Sequence, residues 1–391
     1  MKIAYVCADP GIALFGTKGA SVHMQEVIRA LRCAGHQVNV LCLRLGEAVP
    51  ADLADLPVEV FPLPSGTLTP REREDAVWRA GRRMAEAIVA QRPERVVERY
   101  SLFSADVMLA ARELGIPSAL EVNAPLLEEQ CKYRSLIHYD RALATVQAAA
   151  QAASVVIAVS SAVAAWVQCH APAARVLMLP NGVNTQRIEP GPSRDEAEPL
   201  VIGFIGTLKP WHGVEVLLQA VAQAGRPDWR LSIVGDGPQA SALRQLTNRL
   251  GVQAEFSGAV APERIPALLQ QMDVAVAPYT AEAEPYFSPL KVFEYAAAGL
   301  PIVAGAHGQL TDILRHDETA LLFSPGDSQV LARHLLMLAD DPALRVRLGR
   351  AARRWALGQS WQSVVARMLQ AMAAGQPTSQ RECDHDASNS A

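Results

Sequence analysis

The chain has 391 residues, a length that favours two domains over one, and 50% of its residues are hydrophobic, so it can bury large cores. Only 19% of the residues are charged, the formal net charge is −4, and no long block of like charge occurs, which argues against a nucleic-acid-binding surface. The six cysteines are scattered without a C-x-x-C pair and indicate neither a disulfide framework nor a zinc site.

The sequence shows neither a signal-peptide pattern nor a membrane-spanning apolar run, and both bear on the expected cellular compartment. Residues 1–8 are too few for the apolar region of a signal peptide and predict a first β-strand. No apolar run reaches the ~18 residues of a membrane-spanning helix. We therefore expect a cytoplasmic protein. Segment 71–99 carries eight arginines interleaved with six acids. This favours an exposed, salt-bridged helix, with weak peripheral contact at the inner face of a membrane as the alternative.

Strands and helices alternate along the first half of the chain. The predicted strands are 3–8, 37–43, 95–100, 118–122 and 155–159, and the predicted helices are 21–33, 105–114 and 136–152. Strands separated by helices imply right-handed crossovers and a parallel sheet. The first half therefore predicts an α/β domain.

A second alternating series follows an interruption. Residues 189–199 contain three prolines and four acids, cannot form a core, and predict a surface connection. We expect an N-terminal domain over 1–184, a linker over 185–199 and a C-terminal domain over 200–358. The further predicted strands are 201–205, 230–234, 254–257 and 273–277, and the further helices are 214–224, 240–250 and 262–271. The polar segment 376–391 predicts a disordered tail.

Segment 288–304 predicts one helix with both ends marked, followed by a buried strand. Ser288 suits the N-cap and Pro289 suits the first helical position. Gly299 suits the left-handed residue after the helix, and Pro301 prevents its continuation.

Lys291 breaks the local rules of this helix, because the positive end of the helix dipole disfavours a cation in the first turn. An anion bound at the helix N-terminus would explain it. Glu294 follows on the same helical face. The pair predicts either a nucleotide-sugar site, with a diphosphate on Lys291 and hydroxyls on Glu294, or a solvated ion pair. These residues alone leave both open.

In each half of the chain, a glycine-containing loop follows the first strand. Open α/β sheets bind ligands at such strand ends. Gly16 and Gly19 let the backbone approach a ligand, although a simple tight turn explains them as well. In the second loop, Lys209 near His212 can neutralise phosphate or can simply be solvated. His23 near the first helix start is an ordinary packed or solvated histidine by the same reasoning. The G-x-G-x-x-G fingerprint is absent, which disfavours a nicotinamide dehydrogenase.

Glu121 and Asn123 end another strand of the first half. A carboxylate and an amide at a strand end can hold sugar hydroxyls or a developing charge. A turn in which Asn123 caps backbone groups is the alternative.

Taken in order, these segments resemble the GT-B fold, and specifically the retaining, group 1-like type of glycosyltransferase family 4. The resemblance covers about residues 1–370 and rests on ordered matches, since each motif alone is weak. The matching segments are the N-terminal glycine loop, 180–183, 203–208, 234–238, 256–258, 272–278 and 294–303.

The resemblance implies an α/β protein with two Rossmann-like, doubly wound domains that face each other across a cleft. A last segment, 359–375, would form a helix that crosses back onto the N-terminal domain. The C-terminal domain would hold a UDP- or GDP-linked sugar donor. The resemblance implies no metal and no other cofactor, and the sequence has no carboxylate cluster with metal spacing.

The resemblance also assigns roles to residues. Glu294 corresponds to the second glutamate of the family's E-x7-E motif and would bind the nucleotide ribose. Lys209 stands near the basic pair that holds the donor diphosphate, and together with Lys291 it would stabilise the leaving diphosphate. The remaining donor contacts are expected at Gly16, Gly19, Thr207, His212, Gly235, Ser288, Pro289 and Leu290.

Several positions depart from the family pattern. Tyr286 stands where the first glutamate of the motif belongs. In the basic pair, Thr207 stands where arginine is common and His212 where lysine is common, so a nearby lysine is expected to compensate. Asn123 stands at the strand end where a histidine is often found, and with Glu121 beside it completes the expected catalytic set.

The sequence therefore predicts a retaining glycosyltransferase that moves a hexosyl group from a UDP- or GDP-sugar to an acceptor hydroxyl in glycan or glycoconjugate biosynthesis. The acceptor would be a sugar, a lipid-linked sugar or a small natural product. A nucleotide-sugar epimerase or hydrolase on the same fold is one alternative. A non-catalytic sugar-nucleotide-binding paralogue is another, which Tyr286 keeps open.

Overall fold

The computed structural model describes residues 1–192, 198–283, 286 and 288–374. Residues 193–197 of the predicted linker and the predicted tail at 376–391 lie outside the described residues. Within the described ranges the chain forms two parallel sheets flanked by helices, which confirms the predicted α/β architecture of two doubly wound domains.

The N-terminal domain is built around a seven-stranded sheet. Its strands are β1 (Lys2–Cys7), β2 (Gln37–Cys42), β3 (Val58–Val60), β4 (Arg95–Arg99), β5 (Ser118–Val122), β6 (Val155–Ala158) and β7 (Val176–Met178). Its helices are α1 (Gly19–Cys33), α2 (Pro70–Gln91), α3 (Asp106–Glu113), α4 (Leu126–Tyr133), α5 (Tyr139–Ala152) and α6 (Ser161–His170). The strand order is β3-β2-β1-β4-β5-β6-β7, so the direction of the crossovers reverses between β1 and β4.

The C-terminal domain repeats this plan around a six-stranded sheet. Its strands are β8 (Val201–Ile205), β9 (Arg230–Val234), β10 (Ala254–Gly258), β11 (Val274–Ala277), β12 (Ile302–Gly305) and β13 (Leu321–Phe323). Its helices are α7 (Val214–Ala224), α8 (Ala240–Leu250), α9 (Ile265–Leu269), α10 (Leu290–Ala297), α11 (Leu310–Ile313), α12 (Ser328–Asp340) and α13 (Pro342–Leu357). The order β10-β9-β8-β11-β12-β13 reverses between β8 and β11.

The last helix, α14 (Trp361–Ala374), lies on the N-terminal domain. Trp361 packs into the apolar core beside α1, and its ring meets that of His23 edge-on at 5.0 Å. Arg175 donates to the carbonyl oxygen of Ala371 at 2.7 Å. Among the described residues, none of the helices combines the length and the hydropathy that a bilayer crossing needs.

Several predicted boundaries need correction. Segment 71–99 is not one helix, because α2 ends at Gln91 and β4 follows. Helix α2 also buries one face, and the Arg83 guanidinium lies 5.4 Å from the centre of the Phe61 ring. The helix predicted over 136–152 begins only at Tyr139, and segment 262–271 is a 3-10 turn followed by the short α9. The sequence-based prediction also lacks helices α4, α6, α11, α12 and α13.

The start of α10 also differs from its prediction. Pro289 is the N-cap rather than the first helical residue, and no side chain caps the helix. Ser288 lies outside the helix, and its Oγ accepts a hydrogen bond from Asn181 Nδ2 at 2.9 Å. Gly299 has φ 68° and ends the helix as predicted. The first backbone N–H groups of α10 therefore lack a capping side chain.

Glycines let the strand ends of the C-terminal domain approach one another closely. A Cβ on Gly235 would lie 2.0 Å from the carbonyl oxygen of Gly206, and one on Gly213 would lie 1.7 Å from that of Pro278. Both distances are far inside van der Waals contact. The carboxyl ends of β8, β9 and β11 are thus drawn together only because side chains are absent.

This close approach predicts unequal costs for two glycines with similar backbone angles at the ends of α7. Gly213→Ala should lower the free energy of unfolding by at least ~2 kcal/mol more than Gly225→Ala. Gly225 has φ 64° but open space around it, so its replacement should cost only ~1–2 kcal/mol of backbone strain. Urea denaturation measures both. Equal losses would show that the loop after β11 yields freely.

Candidate functional site

The candidate site lies where the carboxyl ends of the two sheets meet. Gly19 opens α1 after Lys18, an N-cap with no side-chain hydrogen bond, and Leu290 opens α10. A Cβ on Gly19 would lie 3.6 Å from Leu290 Cδ1, so the two helix starts are in contact. Each start carries the positive end of a helix dipole and uncapped N–H groups. Together they form a place suited to an anion.

Lys291 brings a buried ammonium to this place. Its side chain is only 8% exposed. Its Nζ lies 4.1 Å from the centre of the Phe204 ring and 5.1 Å from that of Tyr279. A Cβ on Gly206 would lie 2.6 Å from Nζ, which places the ammonium at the end of β8. In the described part of the chain Nζ has no hydrogen-bond partner.

This environment changes the titration of Lys291. Burial lowers the pKa of its ammonium from 10.5 to about 7, and the nearby charge of Glu294 opposes the shift only in part. A buried ammonium without a partner is unfavourable, and a bound anion would restore its usual protonation. The solvated ion pair considered from the sequence is therefore wrong for Lys291.

His212 lies beside Lys291 but carries no charge. It is buried, and its Nδ1–H donates to the carbonyl oxygen of Thr207. Burial, followed by the positive charges of Lys291 and Lys209, lowers its pKa to about 3. Without a bound anion His212 is therefore a neutral imidazole, and the positive charge beside it comes from the lysines, as the departure of His212 from the family pattern led us to expect.

Lys209 is the second cation of the site. It is the N-cap of the 3-10 turn Pro210–His212, and its Nζ lies 4.6 Å from the centre of the Trp211 ring. Its charge, like that of Lys291, lowers the pKa of His212. Thr207 is exposed in the same loop, and Gly235 lies against Gly206 below it.

Glu294 lies on α10 where the two domains meet. Burial raises the pKa of its carboxyl group to about 7, with Arg187 opposing and Glu26 adding to the shift. Glu26 is a buried residue of α1 that accepts a hydrogen bond from Asn184 Nδ2 at 3.4 Å. One acid from each domain, Glu294 and Glu26, thus lies near the position at which ribose hydroxyls are expected.

Glu121 lies inside a chain of hydrogen bonds that joins the two domains. Tyr5 OH donates to its Oε2 at 2.6 Å, and His23 Nε2 lies 3.3 Å from its Oε1. His23 Nδ1 lies 2.9 Å from Asn181 Oδ1, and Asn181 in turn holds Ser288. Both carboxylate oxygens of Glu121 are therefore engaged by protein groups. We call the chain of Tyr5, Glu121, His23, Asn181 and Ser288 the interdomain network.

Sequence reasoning missed most of this network. Asn181 lies in one of the matched motifs, which was a usable signal. His23 near the start of α1 was set aside as a packed histidine, and Tyr5 inside a buried strand carried no signal at all. The gap is physical, because these side chains meet only after strands and helices distant in the chain have packed.

Asn123 and Tyr286 occupy two other predicted positions. Asn123 lies just after β5, and its Nδ2 is buried without a hydrogen-bond partner in the residues that the structure describes. Tyr286 OH donates to Glu129 Oε1 of the N-terminal domain at 2.7 Å, and the Tyr286 carbonyl oxygen accepts from Ser160 Oγ at 3.2 Å. The residue at the first-glutamate position thus bonds across the cleft.

No metal centre is apparent in the described ranges, in which no three His, Cys, Asp or Glu side chains come together to hold an ion. Two lysines, Lys209 and Lys291, bring positive charge to the strand-end part of the site. They act together with two helix starts that carry no capping side chain. This arrangement can bind an anion and stabilise negative charge that develops on it.

Two family models match the chain in succession. The model described as Glycosyltransferase Family 4 matches residues 17–187, and that described as Glycosyl transferases group 1 matches residues 199–341.

Two curated relatives match over about half of their own length. The GDP-mannose-dependent alpha-(1-6)-phosphatidylinositol monomannoside mannosyltransferase of Mycobacterium tuberculosis is 30% identical over 214 residues, which cover 50% of this chain and 55% of that protein. The 2-deoxystreptamine glucosyltransferase of Streptomyces kanamyceticus is 31% identical over 194 residues, which cover 46% of this chain and 49% of that protein.

A solved structure matches over nearly the whole chain. Anabaena HepE in complex with UDP has a TM-score of 0.73 at 20% identity, and the match covers 96% of this chain and 100% of that chain. At this identity the likeness shows the fold alone, which is the GT-B arrangement predicted from the sequence.

The buried lysine predicts a specific pH dependence of stability. The folded protein releases the Lys291 proton near pH 7, whereas the unfolded chain keeps it until about pH 10.5. The unfolded state therefore binds more protons in this window, and the free energy of unfolding should rise with pH there. Lys291→Met should remove a contribution of up to ~1.4 kcal/mol per pH unit.

Urea denaturation at several pH values between 7 and 10 measures this difference. Lys209→Met is the matched control, because Lys209 is half-exposed beside Trp211. It should keep the pH dependence of the unmodified protein. An identical slope in the Lys291→Met variant would contradict the assignment of a destabilised buried ammonium.

Proposed function

We propose, from the premise that this chain belongs to the group 1, family 4 glycosyltransferases, that it is a retaining glycosyltransferase. It moves a hexosyl group from a UDP- or GDP-sugar to an acceptor hydroxyl. The donor binds at the carboxyl ends of β8 and β11, at the start of α10. The acceptor binds at the carboxyl ends of the N-terminal sheet.

One observation carries this proposal, namely the position of the Lys291 ammonium. It is buried, it lacks a hydrogen-bond partner in the described part of the chain, and it lies against Gly206 at the strand end. The reversal of strand order between β8 and β11 makes this end the usual ligand position of an open α/β sheet. A donor diphosphate supplies the missing negative charge.

The residues of the site act mainly on the leaving group. When the bond between the anomeric carbon and the diphosphate breaks, negative charge grows on the phosphate oxygen. Lys291, Lys209 and the uncapped start of α10 stabilise that charge. The acceptor oxygen attacks from the face on which the diphosphate departs, and its proton passes to the departing phosphate oxygen. The product keeps the anomeric configuration of the donor.

The nucleotide half of the donor lies along α10. Glu294 accepts hydrogen bonds from ribose hydroxyls. Because burial raises the pKa of its carboxyl group to about 7, this group loses its proton near neutral pH. The choice between uracil and guanine is open. HepE has been solved with UDP, and the mannosyltransferase relative is named GDP-mannose-dependent. Both nucleotides therefore belong in the test.

The proposal predicts that UDP or GDP raises the thermal midpoint of unfolding. A ligand at 100 times its dissociation constant stabilises by about 2.7 kcal/mol. The matching monophosphate should stabilise less, because it lacks the phosphate nearest to Lys291, and Lys291→Ala should remove this difference.

Transfer activity should survive EDTA, because lysines provide the positive charge at the proposed diphosphate position. Strict dependence on Mg²⁺ or Mn²⁺, restored on readdition, would contradict a metal-independent site.

The two α10 residues should affect different kinetic constants. Lys291→Ala removes a charge-assisted contact worth about 1.5–3 kcal/mol, or roughly ten- to 150-fold. The loss should fall mainly on kcat, because the leaving group gains charge in the transition state. Glu294→Gln should mainly raise the KM of the donor, because ribose contacts change little during the reaction.

Steady-state kinetics with varied donor separate these effects. Arg230→Ala is a control, because this exposed arginine starts β9 at the opposite end of the sheet. Wild-type values of kcat and of the donor KM for both α10 variants would contradict the site assignment. Donor consumption without any acceptor would favour an epimerase or hydrolase. Donor binding without turnover in any assay would favour a binding paralogue.

A further inference from the structure

Another buried cation, Arg99, lies outside the proposed donor site, where the strand order of the N-terminal sheet reverses. Arg99 is the last residue of β4, and it pairs in register with Cys7 of β1 and Glu121 of β5. The crossovers change direction between β1 and β4, so the carboxyl ends of these strands border the crevice of this domain. Neither Arg99 nor this crevice was singled out from the sequence.

The Arg99 residue is largely buried, and one of its guanidinium nitrogens is buried without a partner among the described residues. The residue is 9% exposed, and its Nη1 is buried without a hydrogen-bond partner. Across the described ranges, no hydrogen bond or ion pair involves this side chain. A guanidinium offers five N–H donors in a planar fork and cannot lose its charge. A largely buried guanidinium whose Nη1 has no hydrogen-bond partner is therefore an unfavourable arrangement.

The neighbouring carboxylate does not fill this role. Burial raises the pKa of Glu121, but His23, Tyr5 and the charge of Arg99 together hold it below its usual value. Glu121 is thus an anion within electrostatic reach of Arg99. Both of its oxygens nevertheless face the Tyr5 hydroxyl and the His23 ring. Arg99 is balanced at a distance while its own donors stay unused.

The other charged groups near Arg99 do not reach it either. Asp9, in the loop after β1, accepts from the backbone N–H of Gly11 at 2.7 Å. Glu98 points to the opposite face of the sheet, where Ser104 donates to it at 2.5 Å. Burial raises the pKa of Glu98 to about 8, so it is protonated at neutral pH and supplies no charge.

Two further donors near these strand ends lack partners. Ser101 Oγ and Asn123 Nδ2 are both buried without a hydrogen-bond partner among the described residues. Ser101 lies two positions beyond Arg99, and Asn123 lies two positions beyond Glu121. Both positions lie in the loops just beyond the carboxyl ends of β4 and β5, the neighbouring strands that carry Arg99 and Glu121. A guanidinium, a hydroxyl and an amide thus share one strand-end region.

We infer that this region is a subsite for an anionic group of the acceptor, a phosphate or a carboxylate, held by the guanidinium of Arg99. Ser101 and Asn123 donate to the same group or to the hydroxyls beside it. The planar fork of arginine matches two oxygens of such a group. That the ligand is the acceptor rests on the proposed function, whereas the anion site itself does not.

The test uses the full chain saturated with the nucleoside diphosphate that binds it, so that the Lys291 site is filled. Inorganic phosphate is the probe, added at constant ionic strength against sodium chloride, and the thermal midpoint of unfolding is measured. The unmodified protein should show a saturable rise. Arg99→Gln should weaken phosphate binding roughly ten- to 150-fold. Arg99→Lys should lose less, because a point charge replaces the fork.

Arg95→Gln is the matched control at the other end of the same strand, where Arg95 Nη1 donates to the Glu94 carbonyl oxygen. It should leave the phosphate effect unchanged. If Arg99→Gln does not fold, Arg99→Lys and Asn123→Ala decide the question, since each should weaken phosphate binding. An equal phosphate effect in the unmodified protein and in these variants would overturn the subsite.

Failure of the proposed function gives a different result. The nucleotide would then not bind at all, and the phosphate titration without nucleotide would still report on Arg99. To separate that binding from phosphate at the donor site, the titration is repeated with Lys291→Ala. A phosphate effect that depends on Lys291 and not on Arg99 would place the anion in the donor site and refute the second subsite.

Discussion

The structure is organised around one unfavourable arrangement, a buried lysine ammonium at the meeting point of two helix starts. Lys291 lies against Phe204 and Tyr279, and burial lowers its pKa to about 7. Positive ends of α1 and α10 add to the same potential. A hydrophobic side chain would be more stable there. The sequence retains a lysine, and binding of an anion is the physical reason that the proposed donor site supplies.

The surrounding protein holds this arrangement in place by contacts between domains. The interdomain network joins Glu121 of the N-terminal sheet to Ser288, immediately before α10. The glycine contacts at Gly206 and Gly213 draw the strand ends together beneath Lys291. Neither domain alone completes the site. The position of α10 relative to α1, and hence the electrostatic field at the proposed anion site, is a property of the pair of domains.

The fold was largely predictable from the sequence, because short apolar runs flanked by turn residues mark buried parallel strands. Strands β8 and β9 were predicted with the bounds that the structure shows. Lys291 could be singled out because it violates a local rule. The N-cap of α10 and the neutral state of His212 could not be predicted. The first depends on Asn181 from a distant segment, and the second depends on burial beside Lys291.

Tyr286 shows how a departure from the family motif can be read in physical terms. A glutamate at this position would bring a second carboxylate towards Glu129 across the cleft, and two like charges in contact repel. Tyrosine instead donates its hydroxyl to Glu129 at 2.7 Å, so the same position becomes a bond between the domains. The substitution therefore does not by itself indicate a lost activity. Where the family motif has a carboxylate, this chain has a hydroxyl that bonds Tyr286 to the N-terminal domain.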